Sequence, residues 1–416
     1  MAEDTENKTN AAAPAETAEK KPEAATPEVA LPDPAKLVVS SSPHVHAGGG
    51  IKKVMWLVIL SLLPACGAGI YYFGLPALEV IILCVVSCVG FEMIFGRMIG
   101  HPDAWKDGSA VVTGMILAMN LSAGIPWWVC VLGGLLAIGL GKMVFGGIGH
   151  NPFNPAIVAR VGLLIGLPAL MTTWVPPKDY SYMLDKDAWF FAPSTIKRLK
   201  DSGVKDIPFS GELKMKGAKG ELEAVTCATP LGIAGMKAEM AKSSGKRLSG
   251  DPFAAIANPE AYKRYFWGDV GGCLGETSVF WLLIGAAILF AFGIIRWWIP
   301  LSFIGTVAAF TAAVHAASPT LTPGPLFHIL TGGVVLGAFF CATDMVTSPM
   351  TRLGGILFGV GCGIITCCIR IWGSYPEGVS FSILFMNALV PLIDRWTVGK
   401  PFGYRPPPKE DGGKKE

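Results

Sequence analysis

The chain has 416 residues, of which 51% are hydrophobic and 16% are Asp, Glu, Lys or Arg, with a formal net charge of +3. Soluble chains carry about 25% charged residues, and here the charge is also segregated: 77–90 and 277–295 hold almost none, the first fifty residues and the region after Met171 hold most. This excludes an ordinary soluble enzyme and points to a polytopic membrane protein, whose topology accounts for the basic residues without any nucleic-acid partner.

Residues 1–50 are rich in Ala, Pro and Glu, with no apolar core behind a basic start. They read as a disordered cytoplasmic tail and not as a signal peptide. Apolar segments follow at 54–72, 77–95, 109–121, 126–145 and 156–171, then at 277–295, 300–316, 326–341, 353–369 and 379–393. A full helical span needs roughly 20 apolar residues. The third and eighth segments fall short and are rich in Gly, Thr and Ser, the composition of half-helices or broken helices that line a site inside a membrane protein. The expected fold is therefore all-α, with about ten transmembrane helices. It divides into a first five-span half (51–172), a loop (173–276), a second five-span half (277–395) and a short tail (396–416).

Val112-Thr-Gly-Met-Ile-Leu-Ala118 in the third segment is similar to Leu330-Thr-Gly-Gly-Val-Val-Leu-Gly-Ala338 in the eighth. With five spans per half, a second copy is inverted, which places binding sites where the broken third and eighth helices meet. Alternation puts Lys52, Lys53, Arg97, Lys106, Lys142, Arg296, Arg352, Arg395 and Lys400 on one side, while the short loops 122–125 and 318–324 carry no charge. Both termini are then cytoplasmic, and the 173–276 loop faces outward. Arg370 breaks this rule from an outer end, so it faces protein or a cofactor. The loop is expected to be mostly irregular, with one helix near 236–242.

Eight cysteines (Cys66, Cys84, Cys88, Cys130, Cys341, Cys362, Cys367 and Cys368) lie in apolar runs, where free Cys behaves as a small hydrophobe. No pair has metal or cluster spacing, so the chain by itself is not expected to hold an iron–sulfur cluster. Cys227 and Cys273 both fall on the outer side, where a disulfide is an option.

Several longer motifs carry more information. They include Ser42-Pro-His44, Asp107-Gly-Ser-Ala-Val-Val-Thr-Gly114, Pro126-Trp-Trp128 and the specific run Gly146-Gly-Ile-Gly-His-Asn-Pro-Phe-Asn-Pro-Ala156. The second half adds Gly275-Glu-Thr-Ser278, Gly337-Ala-Phe-Phe-Cys-Ala-Thr-Asp344, Val346-Thr-Ser-Pro349, Tyr375-Pro-Glu-Gly-Val379, Asn387 and Pro391-Leu-Ile-Asp394. Together they resemble the D subunit of the Rnf-type ferredoxin:NAD⁺ electron-transport complex, itself similar to the B subunit of the sodium-translocating NADH:quinone reductase. The short Phe73-Gly-Leu-Pro76 connection favours the Rnf type. The resemblance implies a flavoprotein of a bacterial or archaeal cytoplasmic membrane, embedded in lipid. It implies electron relay within an ion pump beside flavin- and iron–sulfur-bearing subunits, with covalent FMN attached by a flavin transferase.

Glu223-Ala-Val-Thr-Cys-Ala-Thr-Pro-Leu231 resembles the family's flavin-attachment segment, which makes Thr229 the phosphoester site and Thr226 its partner hydroxyl. Glu223-Ala224 and Thr226 depart from the family's usual Asp-Gly and Ser. Thr229 is expected to be exposed to the transferase, with Pro230 discouraging helix before it. Asn154 and Pro155 suit an N-cap and first helical position. With Asn151 they also present a helix start to an anion or flavin. Asp344, with Thr343 and Thr347, is expected to cap a helix, to touch a second, noncovalent flavin such as riboflavin, or to ligate a cation. Glu92 is expected to pair with Arg97, Glu276 to open the sixth span, and Trp127-Trp128 and Trp297-Trp298 to lie in interfacial belts. Two competing readings are a small-solute channel or transporter and a flavin-free scaffold subunit.

Overall fold

The structure is a computed structural model that describes residues 50–175, 215–217, 220–222, 229–243, 253, 256–268, 270–373, 375 and 377–399. The chain divides into two units after residue 48; residues 1–48 lie outside the described set, and every described element belongs to the second unit.

The first half contains α1 (Ile51–Phe73), α2 (Leu75–Ile99), α3 (Ser109–Met119), α4 (Trp127–Leu135), α5 (Pro155–Gly166) and a short α6 (Pro168–Met171). Gly74, with φ 74°, makes the tight corner between α1 and α2, and Pro76 opens the second helix. α4 runs straight into a π-helical turn at Leu136–Leu140. Such turns insert an extra residue and re-aim the chain, frequently beside functional sites.

Between the halves lie a two-stranded antiparallel hairpin, β1 (Met215–Gly217) with β2 (Gly220–Leu222), and the helices α7 (Pro230–Ser243) and α8 (Pro259–Trp267). The one helix expected at 236–242 is longer and starts earlier, because Pro230 takes the first helical position, where its missing N–H costs nothing. Leu231, Ala234, Phe253, Ile256 and Tyr265 pack on Phe327 as a small second core.

The second half contains α9 (Val279–Ala291), α10 (Trp298–Ala317), α11 (Pro325–Leu330), α12 (Val334–Leu336), α13 (Arg352–Trp372) and α14 (Val379–Thr397). α12 continues as a second π-helical turn, Gly337–Cys341. The eighth segment is broken as expected: Gly332 and Gly333, at φ 69° and 68°, hold left-handed backbone between α11 and α12. The third is instead a continuous, short helix that stops at Asn120.

Six helices are long and apolar enough to cross a membrane, and α3, α5 and α9 are shorter apolar helices. Apart from the hairpin, every regular element among the described residues is helical, and the protein is a multi-pass membrane protein. Without a hydrophobic drive between helices in lipid, association depends on close backbone approach at small residues. Gly285 of α9 shows this: a Cβ there would collide with the Ser61 carbonyl oxygen of α1. Gly359 of α13 meets α10 in the same way, where a Cβ would lie 2.8 Å from the Ile299 oxygen.

Candidate cofactor sites

Thr229 is the N-cap of α7. Its Oγ1 accepts the Gly232 N–H at 3.1 Å and its carbonyl accepts Ile233 N–H at 3.0 Å. The residue is 6% exposed, so the expected exposure is corrected. The sequence Thr-Pro, read as a loop, is the start of a helix whose first residues dock against the broken segment. Beside Thr229 lies a small void bordered by Tyr265, Glu276, Leu330, Thr331 and Gly332. Tyr265 donates to the Ile256 carbonyl at 2.9 Å, and burial pushes its phenol up to about 12. Thr226 and Cys227 lie outside the described residues; Cys273 is free and buried.

The Gly332–Gly333 break exposes two helix ends, and each has a partner of suitable charge. Arg370 donates to the carbonyls of His328 (2.7 Å), Thr331 (3.0 Å) and Gly332 (2.7 Å), so it caps the negative end of α11. Of the two options the sequence left for Arg370, protein or a cofactor, the structure has it facing protein. The Glu276 carboxylate lies at the start of α12, where a Cβ on Gly333 would come 3.1 Å from its Oε1. Where the sequence places Glu276 at the opening of the sixth span, the structure has it in a 3₁₀ turn, Leu274–Glu276, ahead of α9.

A cleft opens between the halves, where the two π-helical turns end. Lys142 and Asn154 border it from the first half, Phe339, Phe340, Thr343 and Asp344 from the second. Its walls are mainly apolar, with α1 contributing Val54, Met55 and Val58. Asn154 caps α5 as expected, accepting from Ala156 N (3.1 Å) and Ile157 N (3.4 Å), with Pro155 next. Its Nδ2 reaches the Cys341 carbonyl at 3.4 Å, so one residue ties the α5 start to the second π turn. Asn387 completes this network: in its hydrogen-bonding orientation it donates to the Thr347 carbonyl (3.2 Å) and accepts from Asn154 N (3.2 Å). Thr347 donates to Asp344 Oδ2 at 3.2 Å, and the Asp344 carbonyl accepts Ser348 N–H at 3.1 Å. Asn151 also borders the cleft, its amide donating to the Phe153 carbonyl at 3.0 Å. The structure thus gathers Asn151, Asn154, Asp344 and Thr347 at one place and leaves Thr229 at another.

Lys142 enters the cleft wall from the turn after the first π segment. It is paired with Glu92, and it also donates to Ser109 Oγ at 2.5 Å, which in turn donates to Asp107. The Glu92–Arg97 pair expected from sequence is corrected: Glu92 lies on the inner face of α2, and the buried ammonium that reaches it comes from across the fold. A further buried charge cluster borders a small cavity with Glu276 and Gly332, which also border the void at Thr229. Arg160 of α5 pairs with Glu377 and donates to the Asn120 carbonyl and Oδ1 (3.2 Å) and to Cys273 Sγ (3.1 Å). Arg160 is the residue that reading the sequence misses. The signal for it was an arginine inside an apolar segment, which is costly in lipid unless it has a role. Trp298, expected in a belt, is stacked by Arg296 and Arg352, each 5.2 Å from the ring centre.

Helices long and apolar enough to cross a membrane, two π turns ending beside a polar-edged cleft, and ion pairs buried inside the body define an integral membrane protein with an internal polar site. The chain belongs to the NQR2, RnfD, RnfE family, matched over residues 38–403. It is 39% identical over 367 residues to the D subunit of the proton-translocating ferredoxin:NAD(+) oxidoreductase complex of Clostridium ljungdahlii, covering 88% of this chain and 96% of that one. The D subunit of the ion-translocating oxidoreductase complex of Stutzerimonas stutzeri is 40% identical, over 85% of this chain and 92% of its own. The D subunit of the Na(+)-translocating ferredoxin:NAD(+) oxidoreductase complex of Acetobacterium woodii is 37% identical, over 90% and 98%.

Proposed function

We propose that the chain is the D-type subunit of an ion-translocating ferredoxin:NAD⁺ oxidoreductase complex, and that it relays electrons through FMN esterified to Thr229. The observation that carries the reading is that relatives matched over 85–90% of this chain bear that subunit's name. Partners are then the other flavin- and iron–sulfur-bearing subunits, a flavin transferase for maturation, and lipid around the exposed apolar helices.

The residues present suit the cofactor's phosphate. A phosphoester on Thr229 would lie at the start of a 14-residue helix, whose free N–H groups and dipole favour an anion. The void beside it has room for about one water molecule, so the ring system belongs outside it. When bound, the flavin supplies the electron chemistry; the chain's part is attachment, orientation and local charge. We assign the cleft to a second, noncovalent flavin on the chemistry of its lining, with apolar walls for a ring and Asn151, Asn154, Asp344 and Thr347 on or beside its polar edge. We further take the fold as ten spans in two inverted halves. Both termini are then cytoplasmic, and Thr229 is on the opposite face.

The test is flavin fluorescence of the denatured, gel-separated chain, produced with an active flavin transferase, beside a Thr229→Ala control. A fluorescent band lost in the variant supports the reading. A dark wild-type band refutes covalent attachment and leaves the flavin-free scaffold.

A further inference from the structure

The cleft has a neighbour. A second hollow, of about 430 Å³, opens beside the end of α2 and the turn after the first π segment, bordered by the exposed His101, Asp103 and His150. It is polar-edged and roomy enough for several water molecules. Ile148 borders both spaces, so a single layer of side chains divides them.

That layer is polar. Glu92 and Asp107 border the outer hollow, whereas Lys142 and Ser109 border the cleft. The four are bonded in one run. The Lys142 ammonium donates to Glu92 and, at 2.5 Å, to Ser109 Oγ; the Ser109 hydroxyl donates to Asp107 Oδ1 at 2.5 Å. Lys142 and Ser109 are 3% and 6% exposed, while Asp107 is only half-buried. Glu92 Oε2 is buried without a hydrogen-bond partner at the inner end of the hollow. A run that begins at a half-exposed carboxylate and ends at an ammonium in the cleft wall has the order of a proton path. We propose that Asp107, Ser109 and Lys142 form a wire that carries protons from the outer hollow to the occupant of the cleft, with Glu92 as the fixed counter-charge of Lys142.

A group that gains negative charge on reduction calls for a proton, so the inference rests on the assignment of the cleft to a redox cofactor. Lys142 gives one proton to such a group and is left as the neutral amine. Beside the ionised Glu92 this strands a buried carboxylate, which is strongly unfavourable and draws a proton back. The Ser109 hydroxyl turns, hands its proton to the amine and takes one from the protonated form of Asp107, which is recharged from solvent in the hollow. The balance is one proton moved from solvent to cleft, with no electron carried by the wire. Because the path follows hydrogen bonds and not open space, it passes protons and excludes other ions. Lysine suits its inner end because, unlike arginine, it can give up its proton. The other titratable groups near Lys142 are Asp344 across the cleft and the Cys88 thiol beside Glu92, and His101 and His150 share the outer hollow with Asp107.

The test uses the full chain in lipid nanodiscs, with Thr229→Ala throughout so that no covalent flavin reports. Flavin released on denaturation counts the occupant of the cleft. A flash-excited ruthenium dye supplies electrons, and a pH-indicator dye follows proton uptake beside flavin absorbance. With the wire intact, uptake keeps pace with flavin bleaching. Asp107→Asn keeps the acceptor that holds Ser109 N–H at 2.7 Å but relays no proton, and Ser109→Ala breaks the run. In flavin-loaded samples of both, uptake should lag at least about tenfold. Ser109→Thr keeps the hydroxyl and should match the intact wire. Flavin-loaded Asp107→Asn and Ser109→Ala that take up protons without a lag, or a Ser109→Thr that lags with them, overturn the wire and leave the cofactor assignment standing. An intact-wire chain that releases no flavin overturns that assignment, and the wire with it.

Discussion

Replacing Lys142 by Met should destabilise the protein far more than replacing both members of its pair. The Lys142 and Glu92 side chains are 3% and 0% exposed, and Glu92 Oε2 already lacks a partner, so the Lys142 ammonium is the one opposite charge paired with the Glu92 carboxylate, beside a backbone hydrogen bond from Ala110. Met matches the stem of Lys and fills the same space, so the change is one of charge and not of volume. Removing one partner of a buried pair typically costs about 3–5 kcal/mol, because the remaining charge is left in a poor solvent. Removing both, in Lys142→Met/Glu92→Gln, should return to within about 1 kcal/mol of wild type, since burial of two charges and their attraction largely offset. The double-mutant cycle then gives a coupling of about 3 kcal/mol. Cys84 and Cys88 are buried on the same helix, so thermal unfolding in detergent is followed by their reaction with a thiol-sensitive dye. If Lys142→Met costs no more than the double variant, the pair is hydrated, and the cleft wall is not as described.

Gly285→Val should weaken the α1–α9 contact by about 1–3 kcal/mol, since its Cβ would collide with the Ser61 oxygen. Gly305→Val, where nothing lies within 4 Å, is the control, and thermal denaturation compares them. Tyr265, pushed by burial to about 12, should show no tyrosinate absorbance near its ordinary value of about 10. Its contribution to stability is whole below about pH 10 and is lost as pH rises through about 12; a Tyr265→Phe difference spectrum with a midpoint near 10 would contradict the burial of the second core.

The sequence spoke clearly where local chemistry decides the outcome. Asn154-Pro155 reads as a helix start because a cap and a missing N–H act within one turn, and the structure has that start. The Gly332-Gly333 break is legible for the same reason, since left-handed backbone needs glycine. The apolar cysteines are buried as their surroundings suggest, with Cys368 half-buried. Long-range partnership stayed hidden. Glu92 and Lys142 are fifty positions apart, Arg160 and Glu377 more than two hundred, and no periodicity reports who meets whom across a bundle. Thr229 failed differently: Thr-Pro is equally good as a turn and as cap plus first helical position, and only the residues that dock on α7 decide between them.

That cap has a consequence for timing. A hydroxyl that accepts the Gly232 N–H with 6% of its residue exposed is a poor target for any large reagent. Chemistry at this oxygen must first surrender a helix cap, worth about 1 kcal/mol, and lift Leu231 away from Gly332. Whatever group is installed there is therefore most easily added to a nascent or loosened chain. Closing the first turn of α7 over the junction would then work as a latch: once shut, it would shield a bond made at Thr229 from the same reagents that formed it.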